Sequence, residues 1–542
     1  MRTIKRKNGF IFQAGLLACA GIIVRIIGIL YRSPLTKIIT DEGNGYFSTA
    51  YNIYTMVLLI SSYSIPMAVS KVISARLALK QYKNAHRIFL CSLLYATIIG
   101  GCGSIFTFFA APYLVNSHSA LALRVLSPTI FLSGILGVFR GYFQAQNTMV
   151  ETSISQIVEQ ILNAIVSVVA AYALTRPFVG VLDNSLIPIY GAAGGALGTG
   201  AGVLIGLLYM LHVYFSHKPE RDKHIQKEKN SQEEPYTEIF KIIILMVTPV
   251  IFSTFIYNFV PTLDMSIFYN IMSQQGMSEE KAATLYGVFS GKYMVLINVP
   301  IALASAASTA LVPGISGYYA TGNLSYANAK VREATRFTML ISIPASIGMI
   351  ALAKPIMWLL FPQKATIDLA ANLLRLGSIS VIFYAMSTLS NGVLQGIGKM
   401  GAPARNATIA LLVQVIPLYC LLAFTNLGIY SLVIATILYS LLMCILNGLS
   451  VRKYLHYKQE VKKTFVIPLV SSGIMGVAAY FSYQFIYASI KSNSISLVVS
   501  ILTGILIYFI LIIRWKGILE NELRDLPQGE FLVKVLKKIH LI

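Results

Sequence analysis

Charge is scarce in this chain, and acid is scarcer than base. Only 12% of its 542 residues are charged, and 21 acidic side chains face 43 lysines and arginines. Soluble domains carry about a quarter charged residues, so a water-facing surface for a chain this long is excluded. Five cysteines (Cys19, Cys91, Cys102, Cys420 and Cys444) sit singly inside apolar runs. Without paired spacing they exclude a disulfide framework or a thiolate metal site and read as small buried hydrophobes. No GxxxxGK[ST] loop is present: "GVLQGIGKM" has the wrong glycine spacing and Met where Ser or Thr is required. This chain therefore does not drive itself with ATP. None of the seven histidines forms an HExxH pair, and no triad or pair of acids stands in a large soluble region. The expectation is no enzyme: no catalytic residues, no metal ligands and no cofactor.

What is abundant is hydrocarbon. Residues of the apolar class make up 56% of the chain, in runs long enough to cross a bilayer from one end to the other. Fourteen spans are expected, near 10–31, 48–70, 88–112, 123–144, 153–174, 190–214, 240–262, 284–311, 337–359, 373–396, 404–425, 428–449, 465–488 and 495–513. The first is too long for a secretory signal, lacks a small-residue cleavage site and is followed by many more. A formal charge of +22 could suggest nucleic acid, but the basic residues gather in alternate loops. By the positive-inside rule that asymmetry places both termini in the cytoplasm of a multi-pass cell-membrane protein. No nucleic-acid partner is expected.

The chain also repeats itself. "RGYFQAQNTM" (140–149) and "NGVLQGIGKM" (391–400) share Gly, Gln and Met at one spacing, and "YKNAHR" (82–87) is echoed by "YANAKVR" (326–332). Both copies shift by six spans, an even number, so they share one orientation in the membrane. The expected fold is an all-α polytopic membrane protein of fourteen transmembrane helices. Spans 1–6 and 7–12 form two parallel six-helix bundles around a central cavity, with two C-terminal helices added. The expected divisions are 1–215 for the first bundle, 216–238 for a charged, solvated linker, 239–453 for the second bundle, 454–513 for the added helices and 514–542 for a basic amphipathic tail. That tail would lie on the anionic inner leaflet.

Within the spans a few polar side chains stand out. Arg25 and Arg32, in "RIIGILYR", are seven residues apart and share one helical face, roughly 10 Å apart, with Gly28 between them. They are either anchors whose stems are buried while the heads reach an interface, or phosphate ligands, since a guanidinium matches phosphate oxygens bidentately. Lys292, in "FSGKYMV", carries the same two readings. Gln156, Glu159, Gln160 and Asn163 form a polar stripe on the fifth span: interhelical glue, or a counter-charge for a cavity arginine. Arg140 lies in the repeated turn, whereas Arg124 and Arg375 read as end anchors. Tyr384, Ser387, Asn391 and Gln395 share one face of the tenth span, as a cleft lining would. Asp264 reads as interfacial, with a weaker reading as a cation-linked acid.

The segment "DEGNGYFSTAYNIYTMVLLISSYSIPMAVSKVISARLA" (41–78), the "FRGYFQAQNTM" turn, "ISQIVEQ" (154–160) and "LYGVFSGKYMVLINVP" (285–300) resemble the MOP superfamily, which holds MATE exporters and lipid-linked oligosaccharide flippases. The similarity is greatest to the branch of SpoVB-like and Gram-positive MurJ-type lipid II flippases, and it covers essentially the whole chain. It implies a flippase moving an undecaprenyl-pyrophosphate-linked peptidoglycan precursor from inner to outer leaflet by alternating access. It also implies a cationic cavity and a lipid-tail groove along the last two helices. Arg25 and Arg32 match the paired first-span arginines of that branch, one residue further apart. The branch's arginine in span two is missing here, and Lys292 stands where span eight carries another. The expected substrate-binding set is thus Arg25, Arg32, Lys292, Glu159, Gln156, Arg140 and Asn391, with Asp264 as a weak cation-linked candidate. The expected partners are a lipid-linked glycan precursor, membrane lipids and cell-wall synthesis proteins; the expected driving force is membrane potential or a coupled cation. Two alternatives are another lipid-linked polysaccharide as cargo and a MATE-type cation-coupled drug exporter.

Overall fold

A computed structural model describes residues 10–60, 65–146, 148–180, 185–228, 233–361 and 363–518, with Glu530 and Lys537. Among the described residues every regular element is helical, as the apolar runs require: in hydrocarbon a lone segment satisfies its backbone only by coiling on itself. Among the described residues ten helices are long and apolar enough to cross a membrane, or eleven if the bent pair Lys364–Gly377 and Ser380–Gly396 counts as one span. The sequence suggested fourteen. Eleven of these, spans 3 to 6 and 8 to 14, each have their helix or bent pair; the seventh and the first two include side chains outside those described. Over the first two a single element, α1 (Phe10–Leu58), covers the whole of the first run and half of the second. It turns at Thr40, whose φ of 68° and ψ of 177° are unusual for a β-branched residue. Helix α2 (Ile65–Ala78) then takes up what remains of the second run. The basic tail expected at 514–542 lies almost wholly outside the described residues.

The chain divides into two compact units, 1–291 and 292–542. Unit 1 continues with α3 (Tyr82–Leu114), α4 (Ala120–Ala145), α5 (Val150–Thr175), α6 (Leu186–Ser216), α7 (Lys218–Lys227), α8 (Tyr236–Gln274) and α9 (Glu279–Val288). Its tightest seam joins α5 and α6. Glycines recur every fourth residue along α6, at 194, 198, 202 and 206, and each meets α5 at a matching step. A Cβ on Gly194 would lie 2.5 Å from Ala171, on Gly198 2.0 Å from Ser167 Oγ, and on Gly202 2.6 Å from the Glu159 carbonyl. Helices in lipid gain nothing from burying apolar surface against one another, so small residues that permit close backbone approach drive their packing. The same device joins the second half of α1 to α9: a Cβ on Gly45 would lie 2.0 Å from the Ala283 carbonyl, and one on Gly287 1.8 Å from that of Asp41.

Unit 2 comprises α10 (Met294–Ala320), α11 (Leu324–Ala351), α12 (Ala353–Leu360), α13 (Ile367–Gly377), α14 (Ser380–Gly396), α15 (Gly401–Phe424), α16 (Tyr430–Leu455), α17 (Ile467–Ile490) and α18 (Asn493–Arg514). The repeated turn recurs as geometry in both units. After α4, Thr148 N–H donates to the Phe143 carbonyl at 3.3 Å; after α14, Lys399 N–H donates to the Leu394 carbonyl at 2.8 Å. These positions are equivalent in the repeat, and each closes its helix by the six-to-one bond of a Schellman cap. Gly398 supplies the left-handed residue, with φ 77°; its counterpart Asn147 lies outside the described residues. Bonding also explains why the tenth-span polar face is not all open. Ser387 is buried and accepts from Asn447 Nδ2 at 3.4 Å, while Asn406 Nδ2 donates to Asn447 and Ser450, each at 2.9 Å.

Described acids of the charged linker pair with the ends of α2 and α3. Glu234 holds Arg76 Nε at 2.6 Å, Glu233 pairs with Arg87, and Glu228 accepts from the Lys83 backbone N–H at 2.8 Å. Its acids find the basic α2–α3 turn, which composition alone does not reveal. The cysteine expectation also needs correction. Cys91 is buried, but Cys102 and Cys420 are exposed and Cys444 is half-buried; an apolar thiol is tolerated where lipid rather than water covers the surface. Cys19 lies outside the described side chains.

The α5–α6 seam is testable. Gly198→Leu should destabilise the protein by about 1–3 kcal/mol through overpacking. In detergent melts the loss should far exceed that of Ile165→Leu on the exposed face of α5.

Candidate functional site

In unit 1 the polar residues singled out from sequence gather where α1, α4 and α5 meet. The exposed side of α5 is apolar, with Ile154, Ile161, Ile165, Val169 and Tyr172 on it, so its polar stripe turns toward protein. Each member of that stripe has its own neighbour. Asn163 accepts from Ser167 at 3.0 Å, and that hydroxyl also donates to the Gly195 carbonyl, so Asn163 belongs to the α6 seam. Gln160 faces α1: a Cβ on Gly28 would lie 3.5 Å from its Nε2. The glycine between the two arginines thus makes room for the α5 stripe. Gln156 is half-buried.

Glu159 holds Arg140. Arg140 Nη2 lies 2.6 Å from Glu159 Oε2 and its Nε donates to Ser155 at 2.9 Å, with both partners mostly covered. The sequence left open whether Glu159 answers a cavity arginine; its partner is the arginine of the repeated turn. The pair is neutral as a unit, so Arg140 does not present a bare charge.

Arg32 is different. Its guanidinium stands 5.1 Å from the Phe47 ring centroid and 6.0 Å from that of Tyr31. Such cation–π contacts contribute roughly 0.5–2 kcal/mol, more when desolvated. One terminal nitrogen, Nη1, is buried without a hydrogen-bond partner. Tyr51 stacks on Phe47 with ring centroids 5.6 Å apart, extending the aromatic wall beside Arg32. Arg25, two turns earlier, is exposed.

Lys292 belongs to unit 2 and opens it, inside a π turn at Phe289–Tyr293; such turns are frequent at functional positions. Its side chain is fully buried. The ammonium donates to Thr366 Oγ1 at 2.8 Å and lies 5.9 Å from the Phe361 ring. A lysine held so deep is no snorkelling anchor. Burying an ammonium is costly, and the Thr366 hydroxyl and the Phe361 ring are two of the groups that offset that cost. Asn391, also in unit 2, is half-buried and accepts from Gln395 Nε2 at 3.0 Å. Asp264, on α8, is half-buried near Tyr286, whose hydroxyl accepts from Asn52 Nδ2 at 2.7 Å. Among the described residues no three His, Cys, Asp or Glu side chains cluster to hold a metal ion.

Sequence reasoning missed two partners. Thr366 sits in a loop with nothing to mark it. Tyr51 lies in a run of aromatics that read as ordinary span filling.

A family model described as polysaccharide biosynthesis protein matches residues 13–318, more than half of the chain. The chain belongs to that family. A second model, MatE, matches residues 249–420. Among curated proteins the chain is 25% identical to stage V sporulation protein B of Bacillus subtilis (strain 168), over 96% of this chain and 98% of that protein. It is also 25% identical to lipid II flippase MurJ of the same organism, over 84% and 85%. Its fold matches an outward-facing multidrug resistance MATE family transporter of the MOP superfamily, with TM-score 0.60, 16% identity and coverage of 84% of this chain and 99% of that one. A MOP superfamily transporter from Pyrococcus furiosus matches equally well, with TM-score 0.60 at 16% identity over the same shares. The motif-level resemblance to MOP flippases of the SpoVB-like and MurJ-type branch is thereby borne out. This is a multi-pass membrane transporter of that superfamily and not an enzyme.

The Arg140–Glu159 pair gives a direct test. Neutralising either partner (Arg140→Gln or Glu159→Gln) strands the other, whereas the double variant strands neither. A double-mutant cycle on melting should show about 1–3 kcal/mol of favourable coupling; additive losses would contradict the pairing.

Proposed function

We propose that this chain flips an undecaprenyl-pyrophosphate-linked peptidoglycan precursor from the inner to the outer leaflet by alternating access. The observation that carries this reading is Arg32, whose guanidinium is half-buried among aromatic rings with a buried nitrogen lacking any hydrogen-bond partner. A charge left so in a membrane protein is expensive unless water or a ligand compensates it, and a phosphate oxygen is the acceptor that a guanidinium fork fits best. Arg25 on the same face is the second arm of the proposed phosphate site. Gln156 and Gln160 line its flank, and the Arg140–Glu159 pair holds α4 and α5 in place behind it.

Lys292 and Asn391 are the contribution of unit 2, engaged at another stage of the cycle, when Lys292 exchanges Thr366 for a phosphate oxygen. Asp264 is the acid a coupled cation would use. Membrane potential is a sufficient alternative driver, since moving one charge through 100 mV is worth about 2.3 kcal/mol. The proposed setting is the cell membrane with both termini in the cytoplasm, beside the proteins that consume the precursor. In this reading the chain comprises two six-span bundles joined by the charged linker, with α17 and α18 as additions that take the lipid tail.

The drug-exporter alternative is disfavoured by one contact. A cationic drug at the arginine face of α1 would need a bare carboxylate there, and Glu159, the acid of the adjacent α5 stripe, is already neutralised by Arg140. A different lipid-linked polysaccharide remains compatible, because the phosphate chemistry is shared; the family model and the MurJ relative support the glycan class.

The test is translocation in liposomes. Arg25→Ala and Arg32→Ala should each lower flipping of the lipid-linked precursor at least tenfold without loss of insertion or melting temperature. Lys292→Met should do the same while holding or raising stability, since replacing a buried charge by an apolar isostere is often neutral or favourable. Wild-type rates in all three would overturn the proposal.

A further inference from the structure

A second basic recess lies at the linker end of unit 1, apart from the arginine face of α1. It encloses about 510 Å³, within the range of small-ligand sites, and the ends of α2, α3, α4 and α6 form its walls. The short helix α7 closes it, contributing Arg221 and His224. His86 and His217 complete its basic lining, beside the rings of Tyr82, Tyr142 and Tyr214.

Two observations point to a missing ligand. Arg221 Nε and His86 Nδ1 are both buried without a hydrogen-bond partner. Buried polar atoms are nearly always satisfied, so two orphans on one cavity wall call for an acceptor or a proton carrier between them. The arginine is also placed rather than wandering. Its guanidinium lies 4.1 Å from the Tyr214 ring centroid, and His224 stacks on Tyr82 with centroids 5.0 Å apart.

Three of the nearby acids are occupied elsewhere. Glu228, Glu233 and Glu234 are bound to the α2–α3 turn. Asp222 reaches Arg221 Nε only at 3.5 Å, with its side chain 42% exposed. We propose that this recess binds a phosphate group, with Arg221 as principal ligand and His86, His217 and His224 as supporting donors. Because α7 belongs to the segment joining the two halves of the sequence repeat, an occupied recess would pin that segment. The phosphate has two possible sources, a soluble phosphate compound or an anionic lipid headgroup.

The test uses the full-length protein in detergent, with calorimetry against inorganic pyrophosphate and native mass spectrometry against dihexanoyl phosphatidylglycerol, phosphatidylcholine being the blank. Wild type should bind one of the two phosphate probes. Pyrophosphate binding identifies a soluble source; phosphatidylglycerol binding without pyrophosphate identifies a lipid. In the Arg25→Ala background, which removes an arm of the proposed transport site, binding should persist, and Arg221→Gln should weaken it at least tenfold. His224→Gln, an exposed position, should weaken it about threefold and carries the test if Arg221→Gln fails to fold. No binding by wild type, unchanged affinity in both recess variants, or loss in Arg25→Ala alone would overturn the proposal.

Discussion

A positive charge inside a shell of apolar helices must find an acceptor, a ring face or water, and that requirement organises the polar interior of this protein. Each interior cation meets it differently. Arg140 has a carboxylate and a hydroxyl, Lys292 has a hydroxyl and a ring, and Arg32 has two rings and an unsatisfied nitrogen. Arg140 is the paired case and Arg32 the incomplete one, and the transport reading follows from Arg32. In the Arg140–Glu159 ion pair each charge already has its partner; Arg32 keeps an unsatisfied nitrogen.

What makes such placement possible is packing that owes nothing to hydrophobic burial. In lipid the helices are held by close backbone approach, and the glycine ladder of α6 sets the position of α5 to within a side chain. Because Gly202 meets the backbone of Glu159 itself, the seam that stabilises unit 1 also fixes the carboxylate that holds Arg140. Stability and site geometry are therefore coupled in α5, whose outer face is plain hydrocarbon and whose inner face carries every polar residue of the stripe.

Much of this was legible in the sequence. The helical class, the repeat and the superfamily resemblance followed from apolar runs and short motifs, because hydrocarbon leaves a segment no alternative to the helix. The repeated turn at 140–149 and 391–400 reappeared as the same cap. Partnership was harder to read. Glu159 and Arg140 stand 19 residues apart on different helices, and Lys292 and Thr366 stand 74 apart; no spacing rule links such pairs. The first two spans were legible, but not that α1 runs through the turn between them as one element broken at Thr40. Composition reports the linker's charge but not where its acids will find arginines. The α6 glycines were visible at four-residue spacing and are the one signal that a closer reading would have used.

The central claim is that the arginine face of α1 borders water rather than acyl chains. With the five native cysteines replaced, Arg32→Cys in membranes can be challenged with a charged, water-borne methanethiosulfonate and with a lipophilic maleimide. The account predicts rapid modification by the charged reagent, slowed by the lipid-linked precursor. Modification by the maleimide alone, with the charged reagent inert from either side, would contradict it.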